Sequence, residues 1–492
     1  MHRDNVWDVI KSMKLDNESE AHRIFRDTRY QAPKVAISRG VNMDEETIPG
    51  IVRPEGTGVE YSFERAMANG FRYDRSSEWS NLGQGAPEVG PIPHAPARPT
   101  SIPVPMDSLS NYAPIAGVKA LREAVARLYN VTYRKGMQSQ YSFENVYVVP
   151  GGRVGLSRVA SVIGDVSCAR QVPDCDAYDQ VLNAFTCRQD PTVLKPEWKY
   201  RLDIEQLKEE LQSRSDKVII ASNPRNPTGQ VIQGEELKEL VDLSRECSTT
   251  LILDEIYSWY IYPDDESEFG RSISSAEFIQ DVDEDPIIII DGLTKNWRLP
   301  GWRVCWVVGP KNLITALSQS GSNLDGGTNH PFQLAAIPLL DPEHVAYEKV
   351  ALQKHFKEKR DHTLRRLRDL GLEVAIPPSS TFYIWLDLSK LPPPLNNGLT
   401  FFEELLKEKT IVVPGIFFDA DPSHHRNLFD SPCHNFVRIS FGVPMEELDK
   451  GLDAIGRILT KAVEEGMGAF GHSYRKPMGG LTNAEVWWDM QR

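Results

Sequence analysis

Residues 286–306 have the sequence PIIIIDGLTKNWRLPGWRVCW, in which a lysine closely follows an unbroken apolar run. Four successive isoleucines, residues 287–290, are typical of a strand that is buried on both faces of a sheet. Lys295 lies just beyond this run, and Arg303 follows eight residues later, past a Pro-Gly turn. An amine at the end of a buried strand can form a Schiff base with an aldehyde, and a fixed arginine can hold a phosphate.

The chain around this stretch alternates between apolar runs and helix-compatible segments. Three earlier apolar runs, at residues 145–149, 217–221 and 249–253, each end in a cluster of polar or small residues. Near-continuous apolar strands that alternate with helices indicate an α/β fold whose parallel sheet is covered on both faces. Because ligands of such sheets bind at the carboxyl ends of the strands, the polar clusters are expected to meet in one site.

Composition narrows the function further. The 492 residues are 40% hydrophobic and 25% charged, which predicts two or three globular domains. A formal net charge of −14 disfavours nucleic acid and anionic membranes as partners. No apolar stretch approaches the roughly 20 residues of a membrane helix, and the charged N-terminus predicts no signal peptide. The six cysteines lack CxxC or metal-ligand spacing, so we expect no metal, no disulfide framework and a cytoplasmic location.

Changes in texture along the chain predict five segments. Helical periodicity is expected at residues 6–13, 111–130, 154–163, 235–247, 348–370, 400–409 and 446–464. The segments are an extension of balanced charge at 1–76, a stretch rich in Gly and Pro at 77–110, the alternating α/β region at 111–330, a smaller α+β region at 331–465 and a tail at 466–492. Within the second segment, residues 81–99 suit either a linker or a backbone that approaches a ligand closely at Gly85, and composition favours the linker.

The polar clusters offer partners for a cofactor that carries an aldehyde, a ring nitrogen, a phenolic oxygen and a phosphate. Lys295 is the candidate amine for the aldehyde. Asp254 directly follows an apolar run, so its carboxylate can keep a ring nitrogen protonated. Asn226 and Tyr257 can donate hydrogen bonds to a phenolic oxygen. Asp254 alone could equally be a helix N-cap and Asn226 a turn former, but their joint position at strand ends favours a site.

The phosphate group has its own candidate partners. Gly152 and Arg153 follow the run that ends at residue 149 and begin a helix-compatible segment, whose first N–H groups can bind an anion. The guanidinium of Arg303 would add a charged donor.

Three motifs together resemble the signature set of the fold-type I, class I/II pyridoxal-phosphate enzymes, the aminotransferase superfamily. They are NPRNPTG at 223–229, DEIY at 254–257 and TKNWRLPGWR at 294–303, and NLGQGAPE at 81–88 and VRISFG at 437–442 occur in the family's order. The resemblance covers roughly residues 77–465. It implies the PLP-transferase fold type I, with a large cofactor-binding domain at 111–330 and a small domain formed from 77–110 and 331–465.

The resemblance also implies a role for each matching residue. Lys295 would form the Schiff base with pyridoxal 5'-phosphate and move the proton, Asp254 would pair with the pyridine nitrogen, and Asn226 and Tyr257 would contact the 3' oxygen. The remaining implied contacts are the cofactor phosphate with Gly152, Arg153, Thr294 and Arg303, and the substrate α-carboxylate with Arg438, the Gly85 backbone and Asn226. Tyr112 would reach the cofactor phosphate of the neighbouring subunit, so a homodimer with shared active sites is implied.

Two positions depart from the family pattern. In VPDCDAYDQ (172–180) the family has an aromatic residue stacked on the cofactor ring where this chain has Cys175, so Tyr178, another aromatic residue or the sulfur itself would take that place. Gly292 stands where a small hydroxyl residue is common, three residues before the lysine, which would remove one phosphate contact.

We expect transamination between an α-amino acid and a 2-oxo acid. The first alternative is a lyase, cyclase or β/γ-replacement enzyme of the aminocyclopropane-carboxylate-synthase kind on the same fold, and the second is a cofactor-binding protein without turnover. The aromatic residues Trp259, Tyr260, Trp297 and Tyr383 are candidate walls for the substrate side chain, although each is more often found in a core.

Overall fold

The computed structural model describes residues 19–29, 56–185, 188–214, 217–419 and 430–470. The helix predicted at residues 6–13 and the tail beyond residue 470 lie outside these ranges. No helix of the described residues is long and apolar enough to cross a membrane.

The described secondary structure alternates between strands and helices along most of the chain. The strands are β1 (Ser80–Asn81), β2 (Val146–Val149), β3 (Ser167–Val172), β4 (Arg188–Val193), β5 (Val218–Ser222), β6 (Thr250–Asp254), β7 (Ile287–Gly292), β8 (Cys305–Val308), β9 (Tyr383–Asp387), β10 (Thr410–Ile411), β11 (Val413–Pro414) and β12 (Phe436–Ser440). The α-helices are α1 (Glu20–Arg29), α2 (Gly58–Ala68), α3 (Met106–Ser110), α4 (Lys119–Tyr133), α5 (Gly152–Val162), α6 (Ala177–Ala184), α7 (Ile204–Arg214), α8 (Glu235–Glu246), α9 (Lys311–Leu324), α10 (His330–Ala336), α11 (Pro342–Asp369), α12 (Gly398–Lys407) and α13 (Met445–Phe470).

A seven-stranded sheet forms the centre of the molecule, in the order β2-β8-β7-β6-β5-β3-β4. Its neighbouring strands are parallel except where β8 pairs with β2 and β7. Every residue of β5 and β7 is buried, and helices α4, α5, α8 and α9 pack on the strands. The predicted α/β class with a mostly parallel sheet is confirmed, because continuous apolar runs become strands that are covered on both faces.

A second, three-stranded antiparallel sheet has the order β11-β12-β9, and its strands contact α12. The short strand β1, more than 300 positions earlier in the chain, pairs in parallel with β10 and contacts α13. Residues that follow the N-terminal extension are therefore joined to the C-terminal third of the chain.

Several predicted boundaries shift. The amphipathic helix predicted within 111–130, entered past Pro114 and Gly117, is α4, which begins at Lys119 after a turn at Gly117, whose φ is +98°. The short helix α3, which ends at Ser110, was not predicted. Helix α11 begins six residues before the predicted start, where the Asp341 carboxylate caps the N–H groups of Glu343 and His344. Strands β3, β4 and β8 were not predicted from apolar runs.

The N-terminal extension contains two helices that we did not predict. Helix α1 packs on α12, and its Phe25 is buried edge-on against Tyr61 of α2 and Phe417. Helix α2 is attached to α12 by a two-pronged ion pair between Arg65 and Glu403, with N–O distances of 2.8 and 2.9 Å. The apolar residues of α1 recur at helical spacing in a stretch that is otherwise strongly polar, so its periodicity was a signal for this helix that we did not use.

Candidate active site

The carboxyl ends of three adjacent strands assemble the site. Ser222 at the end of β5 pairs with Asp254 at the end of β6, and Asp254 pairs with Ile290 of β7. Lys295 follows the end of β7 by three residues. The parallel register therefore brings the predicted carboxylate and the predicted amine to the same edge of the sheet.

Lys295 has its amine inside this edge. Its Nζ donates a hydrogen bond to the Gly85 carbonyl oxygen, and it lies 6.0 Å from the centre of the Tyr257 ring. The Tyr260 hydroxyl donates to the Lys295 carbonyl oxygen at 2.8 Å, which fixes the backbone. Burial, followed by the positive charge of Arg438, lowers the pKa of the Lys295 amine to about 8. A substantial fraction of the amine is therefore neutral near physiological pH, as a nucleophile or base requires.

Residues 81–99 form part of this site and are not a linker. Besides the bond from Lys295 to Gly85, the Arg98 guanidinium donates to the carbonyl oxygens of Trp297 and Arg298 at 2.8 and 2.7 Å. The segment is thus held against the loop that carries the lysine at two points, and the interpretation based on its Gly and Pro content was wrong.

Asp254 is a buried carboxylate with two donors. The Tyr178 hydroxyl donates to its Oδ2 at 3.1 Å, and the Ile256 N–H lies 3.3 Å from its Oδ1. Burial raises the pKa of Asp254 to about 6, since the hydrogen bond from Tyr178 and that from Ile256 offset only part of the cost of burying the charge. A cationic N–H group bound next to this carboxylate would stabilise its charged form.

Arg438 lies on β12, and its side chain is buried. Its guanidinium donates to Asn226 Oδ1 at 2.9 Å and to the Gly83 carbonyl oxygen at 2.8 Å. It also lies 4.2 Å from the centre of the Tyr383 ring, while its Nε has no hydrogen-bond partner among the described residues. Buried arginine with donors left over is suited to a carboxylate.

The hydroxyl of Tyr257 meets the hydroxyl of Tyr383 at 2.7 Å, and both side chains are buried. Of the four candidate wall residues, Tyr383 therefore contacts the side chain of Tyr257, and Tyr260 contacts the backbone of Lys295. Trp259 and Trp297 pack against each other with ring centres 4.1 Å apart and are 3% exposed, so they belong to the core.

The start of α5 forms an anion cradle. Gly151, at a φ of +105°, precedes the helix, which has no side-chain cap, so the first-turn N–H groups of Gly152 and Arg153 face outward from the helix end. Arg303 donates to the Pro150 carbonyl oxygen at 3.3 Å, and its guanidinium occupies the space where a Cβ of residue 151 would lie. Backbone donors, a helix terminus and a guanidinium converge here.

Thr294 and Gly292 both lie against Cys305, two residues after Arg303. The Thr294 hydroxyl contacts the Cys305 sulfur at 3.1 Å. Gly292 packs directly on the backbone of Cys305, so that a Cβ would overlap it, which explains why a hydroxyl residue cannot stand at this position.

The environment of Cys175 contains charges that sequence reasoning missed. Its N–H donates to Asp174 at 2.7 Å, and burial raises the pKa of its thiol to about 12. Asp174 also accepts from the Ser222 hydroxyl and forms a buried ion pair with Arg225 at 2.7 Å. Tyr178, a candidate to replace the stacking aromatic, has its hydroxyl on Asp254. The spacing of these residues along the chain does not predict that they meet. The one feature of the sequence that could have identified them is the presence of polar and charged residues in apolar surroundings.

Tyr112 is not brought to this site. It is 97% exposed on the same chain, next to the exposed Met106 and Leu109 of α3.

The assembled groups fit pyridoxal phosphate. They comprise an amine, a buried carboxylate, hydroxyl and amide donors, a cradle that a Cβ at residue 151 would fill, and a guanidinium whose buried Nε has no hydrogen-bond partner in the described part of the chain.

The family model of the aminotransferases of class I and II matches residues 77–455. The chain belongs to this family. Its members depend on pyridoxal phosphate, so this aminotransferase is a transferase that uses that cofactor, with an amino acid and a 2-oxo acid as its class of substrates.

Curated relatives and solved structures agree with the family. This aminotransferase is 27% identical over 361 residues to the probable aspartate/prephenate aminotransferase of Aquifex aeolicus, covering 72% of this chain and 84% of that protein. It is 27% identical over 335 residues to human kynurenine–oxoglutarate transaminase 3, covering 64% of this chain and 70% of that protein. The structure of Thermus thermophilus aspartate aminotransferase with maleate superposes with a TM-score of 0.66 at 24% identity, over 82% of this chain and 97% of that one. This likeness confirms fold type I.

Proposed function

We propose that this aminotransferase carries out transamination of an α-amino acid at the site built around Lys295, with Asp254 and Tyr257 as its catalytic partners. The observation that carries the proposal is the amine of Lys295, neutral in part near pH 8, close enough to the buried guanidinium of Arg438 for that charge to lower its pKa. An α-amino acid has its reacting carbon next to a carboxylate, and these two side chains match that arrangement.

Each polar group of the site has a proposed partner on the cofactor. Asp254 would hold the ring nitrogen, and Asn226 and Tyr257 would donate to the 3' oxygen. The phosphate would lie in the cradle formed by Gly152, Arg153, Thr294 and Arg303. When bound, pyridoxal phosphate supplies an aldehyde that condenses with amines and a ring that takes up the electron pair released at the substrate Cα.

The side chains then divide the remaining work. Arg438, assisted by the Gly85 backbone and Asn226, binds the α-carboxylate with charge-assisted hydrogen bonds. Lys295, whose Nζ is held beside Gly85, would remove the Cα proton once its amine is free. It would deliver that proton to the former aldehyde carbon of the cofactor, across the substrate nitrogen from Cα. Cys175 contributes a neutral thiol to the wall, because its raised pKa keeps the proton on sulfur.

The test compares Lys295→Ala with Lys208→Ala, an exposed lysine that is paired with Glu246. After reconstitution, the Lys295 variant should lack the visible absorbance of the cofactor-loaded enzyme, and the Lys208 variant should keep it. With wild type, an amino acid should yield equimolar pyridoxamine phosphate and 2-oxo acid. A product released without pyridoxamine phosphate would favour the lyase, cyclase or replacement alternative, and no product at all would favour a protein without turnover.

The proposal includes a homodimer with shared active sites. The nearly fully exposed Tyr112 and the exposed apolar residues Met106 and Leu109 form a surface suited to burial against a second copy. Tyr112 would then reach the cofactor phosphate of the partner. Mixing Lys295→Ala with Tyr112→Ala protein should restore part of the activity through hybrid dimers, whereas mixing Lys295→Ala with Tyr347→Ala, which alters another exposed tyrosine, should give only the activity of the unaltered sites.

We also propose the domain division and the location. The pairing of β1 with β10 supports a small domain made of residues 77–110 and 331–465, with the large domain at 111–330, an extension at 1–76 and a tail at 466–492. The thiols of Cys175, Cys247 and Cys305, which form no disulfide among the described residues, suit the reducing cytoplasm. We also propose a biosynthetic role in amino-acid metabolism. Cell fractionation combined with an activity assay tests the location.

A further inference from the structure

Tyr383 contacts both Arg438 and Tyr257. It begins β9, is fully buried, and has its ring 4.2 Å below the Arg438 guanidinium. Its hydroxyl meets the Tyr257 hydroxyl at 2.7 Å. A Cβ built on Gly85 would lie 3.2 Å from the Tyr383 hydroxyl and 3.9 Å from the Lys295 Nζ, so the hydroxyl and the reacting amine border the same small space.

The role proposed for Tyr257 determines which of the two tyrosines donates the hydrogen bond between them. A tyrosine hydroxyl has one proton to donate. Burial raises the pKa of both hydroxyls, so both keep their protons. If Tyr257 gives its proton to the 3' oxygen of the cofactor, its own oxygen is the acceptor for Tyr383. Chained hydroxyls polarise each other, so the bond from Tyr383 makes Tyr257 a stronger donor.

We propose that Tyr383 is a positioning residue that acts through Tyr257: its hydroxyl orients and strengthens the donor to the cofactor's 3' oxygen, while its ring supports Arg438. The proposal rests on the role of Tyr257 in the proposed function. It gives Tyr383 two separable contributions, one carried by the hydroxyl and one by the ring.

The hydroxyl has a spectroscopic consequence. A weaker donor at the 3' oxygen leaves more negative charge there, which raises the pH at which the visible absorbance of the loaded enzyme changes. Charged and titratable groups that face Lys295 or Tyr257 also set this midpoint. They are Arg153, Cys175, Asp254, Cys305 and Arg438. Tyr383→Phe leaves all five in place and removes only the hydroxyl.

The experiment is a double-mutant cycle on the loaded enzyme with Tyr257→Phe, Tyr383→Phe and the double variant. Tyr257→Phe should raise the absorbance midpoint, and Tyr383→Phe should raise it by a smaller amount, about 0.3–1 pH unit. The double variant should have the same midpoint as Tyr257→Phe alone, because the Tyr383 hydroxyl changes the midpoint only through the Tyr257 hydroxyl. Because the ring remains, KM for the amino acid should stay within about twofold while kcat falls by about three- to tenfold.

Each outcome decides a different point. If Tyr257→Phe shifts the midpoint but Tyr383→Phe does not, or if the two shifts add in the double variant, the action of Tyr383 through Tyr257 is overturned and the proposed function stands. If Tyr257→Phe leaves the midpoint unchanged, both the role of Tyr257 and the positioning role of Tyr383 are overturned. Tyr347→Phe, an exposed tyrosine on α11, is the control for the substitution, and unchanged thermal unfolding verifies the fold of each variant.

Discussion

Lys295 and Arg438 donate hydrogen bonds to carbonyl oxygens two residues apart in one segment, Gly85 and Gly83. Lys295 follows the central sheet and Arg438 belongs to the three-stranded sheet, so this segment spaces side chains from two parts of the molecule. The proposed reacting amine and the proposed carboxylate-binding cation are therefore both held against the same short backbone.

The first prediction concerns Arg438. Arg438→Gln should raise KM for the amino acid about 100-fold, equivalent to about 2.7 kcal/mol, because the carboxylate loses a buried charge-assisted partner. Steady-state kinetics checks it, with the exposed Arg457→Gln as control. An unchanged KM in the Arg438 variant would show that the carboxylate binds elsewhere.

The second prediction concerns pH. The apoprotein should take up pyridoxal phosphate at a rate that rises with pH and reaches half its maximum near pH 8, because only the neutral Lys295 amine attacks an aldehyde and burial lowers its pKa to about 8. Stopped-flow absorbance measures this rate. A rate that keeps rising through pH 10, as for a solvated lysine, would contradict the lowered pKa.

A third prediction concerns the phosphate cradle. Gly151→Ala should weaken cofactor binding at least about tenfold, since the new Cβ overlaps the Arg303 guanidinium and the backbone has a φ of +105°. Equilibrium titration of the apoprotein measures the affinity. Gly164→Ala is the matched control, because a Cβ there meets no atom within 4 Å. Equal affinities for both variants would rule out the cradle as the phosphate site.

The fourth prediction concerns acid stability of the N-terminal extension. His22 of α1 lies 2.9 Å, Nε2 to Nε2, from His434, and burial followed by the charge of His434 lowers the pKa of His22 to about 4. A histidine whose folded pKa is lowered stabilises the fold above its ordinary pKa of 6.5 and loses that contribution as the pH falls towards 4. The loss should reach about 2 kcal/mol by pH 5.

Hydrogen exchange of residues 20–29 between pH 7 and 5 measures this effect. After correction for the slower intrinsic exchange at pH 5, a lower protection factor in wild type at pH 5 than at pH 7, and a smaller change in His22→Gln, is the expected pattern. Exchange that depends on pH equally in both proteins would show that the histidine pair is not responsible.

Sequence patterns predicted the parts of this molecule that depend on local order. The isoleucines of β7 and the apolar runs of β5 and β6 announce buried strands, and parallel strands bring their carboxyl ends, with Asp254 and Lys295, to one edge. Strand β3 escaped notice because it carries Arg170, which is buried only because Asp179 and Gln189 satisfy it.

Contacts between residues far apart in the chain could not be predicted from the sequence pattern. The Tyr257–Tyr383 hydrogen bond joins residues 126 positions apart, and the Asp174–Arg225 ion pair joins residues 51 positions apart. The first contact depends on how the two sheets meet and the second on the order of β3 and β5 within the central sheet, and no local pattern encodes either. The Gly and Pro content of residues 81–99 misled for a related reason: close backbone approach and linker flexibility favour the same residues.

The most direct test of the account is the site of covalent attachment of the cofactor. Borohydride reduction of the loaded enzyme, followed by peptide mass spectrometry, should place the phosphopyridoxyl group on Lys295 alone, and adding an amino acid before reduction should abolish the label. Attachment to another lysine, or no attachment in an enzyme that retains its visible absorbance, would contradict the assignment of Lys295.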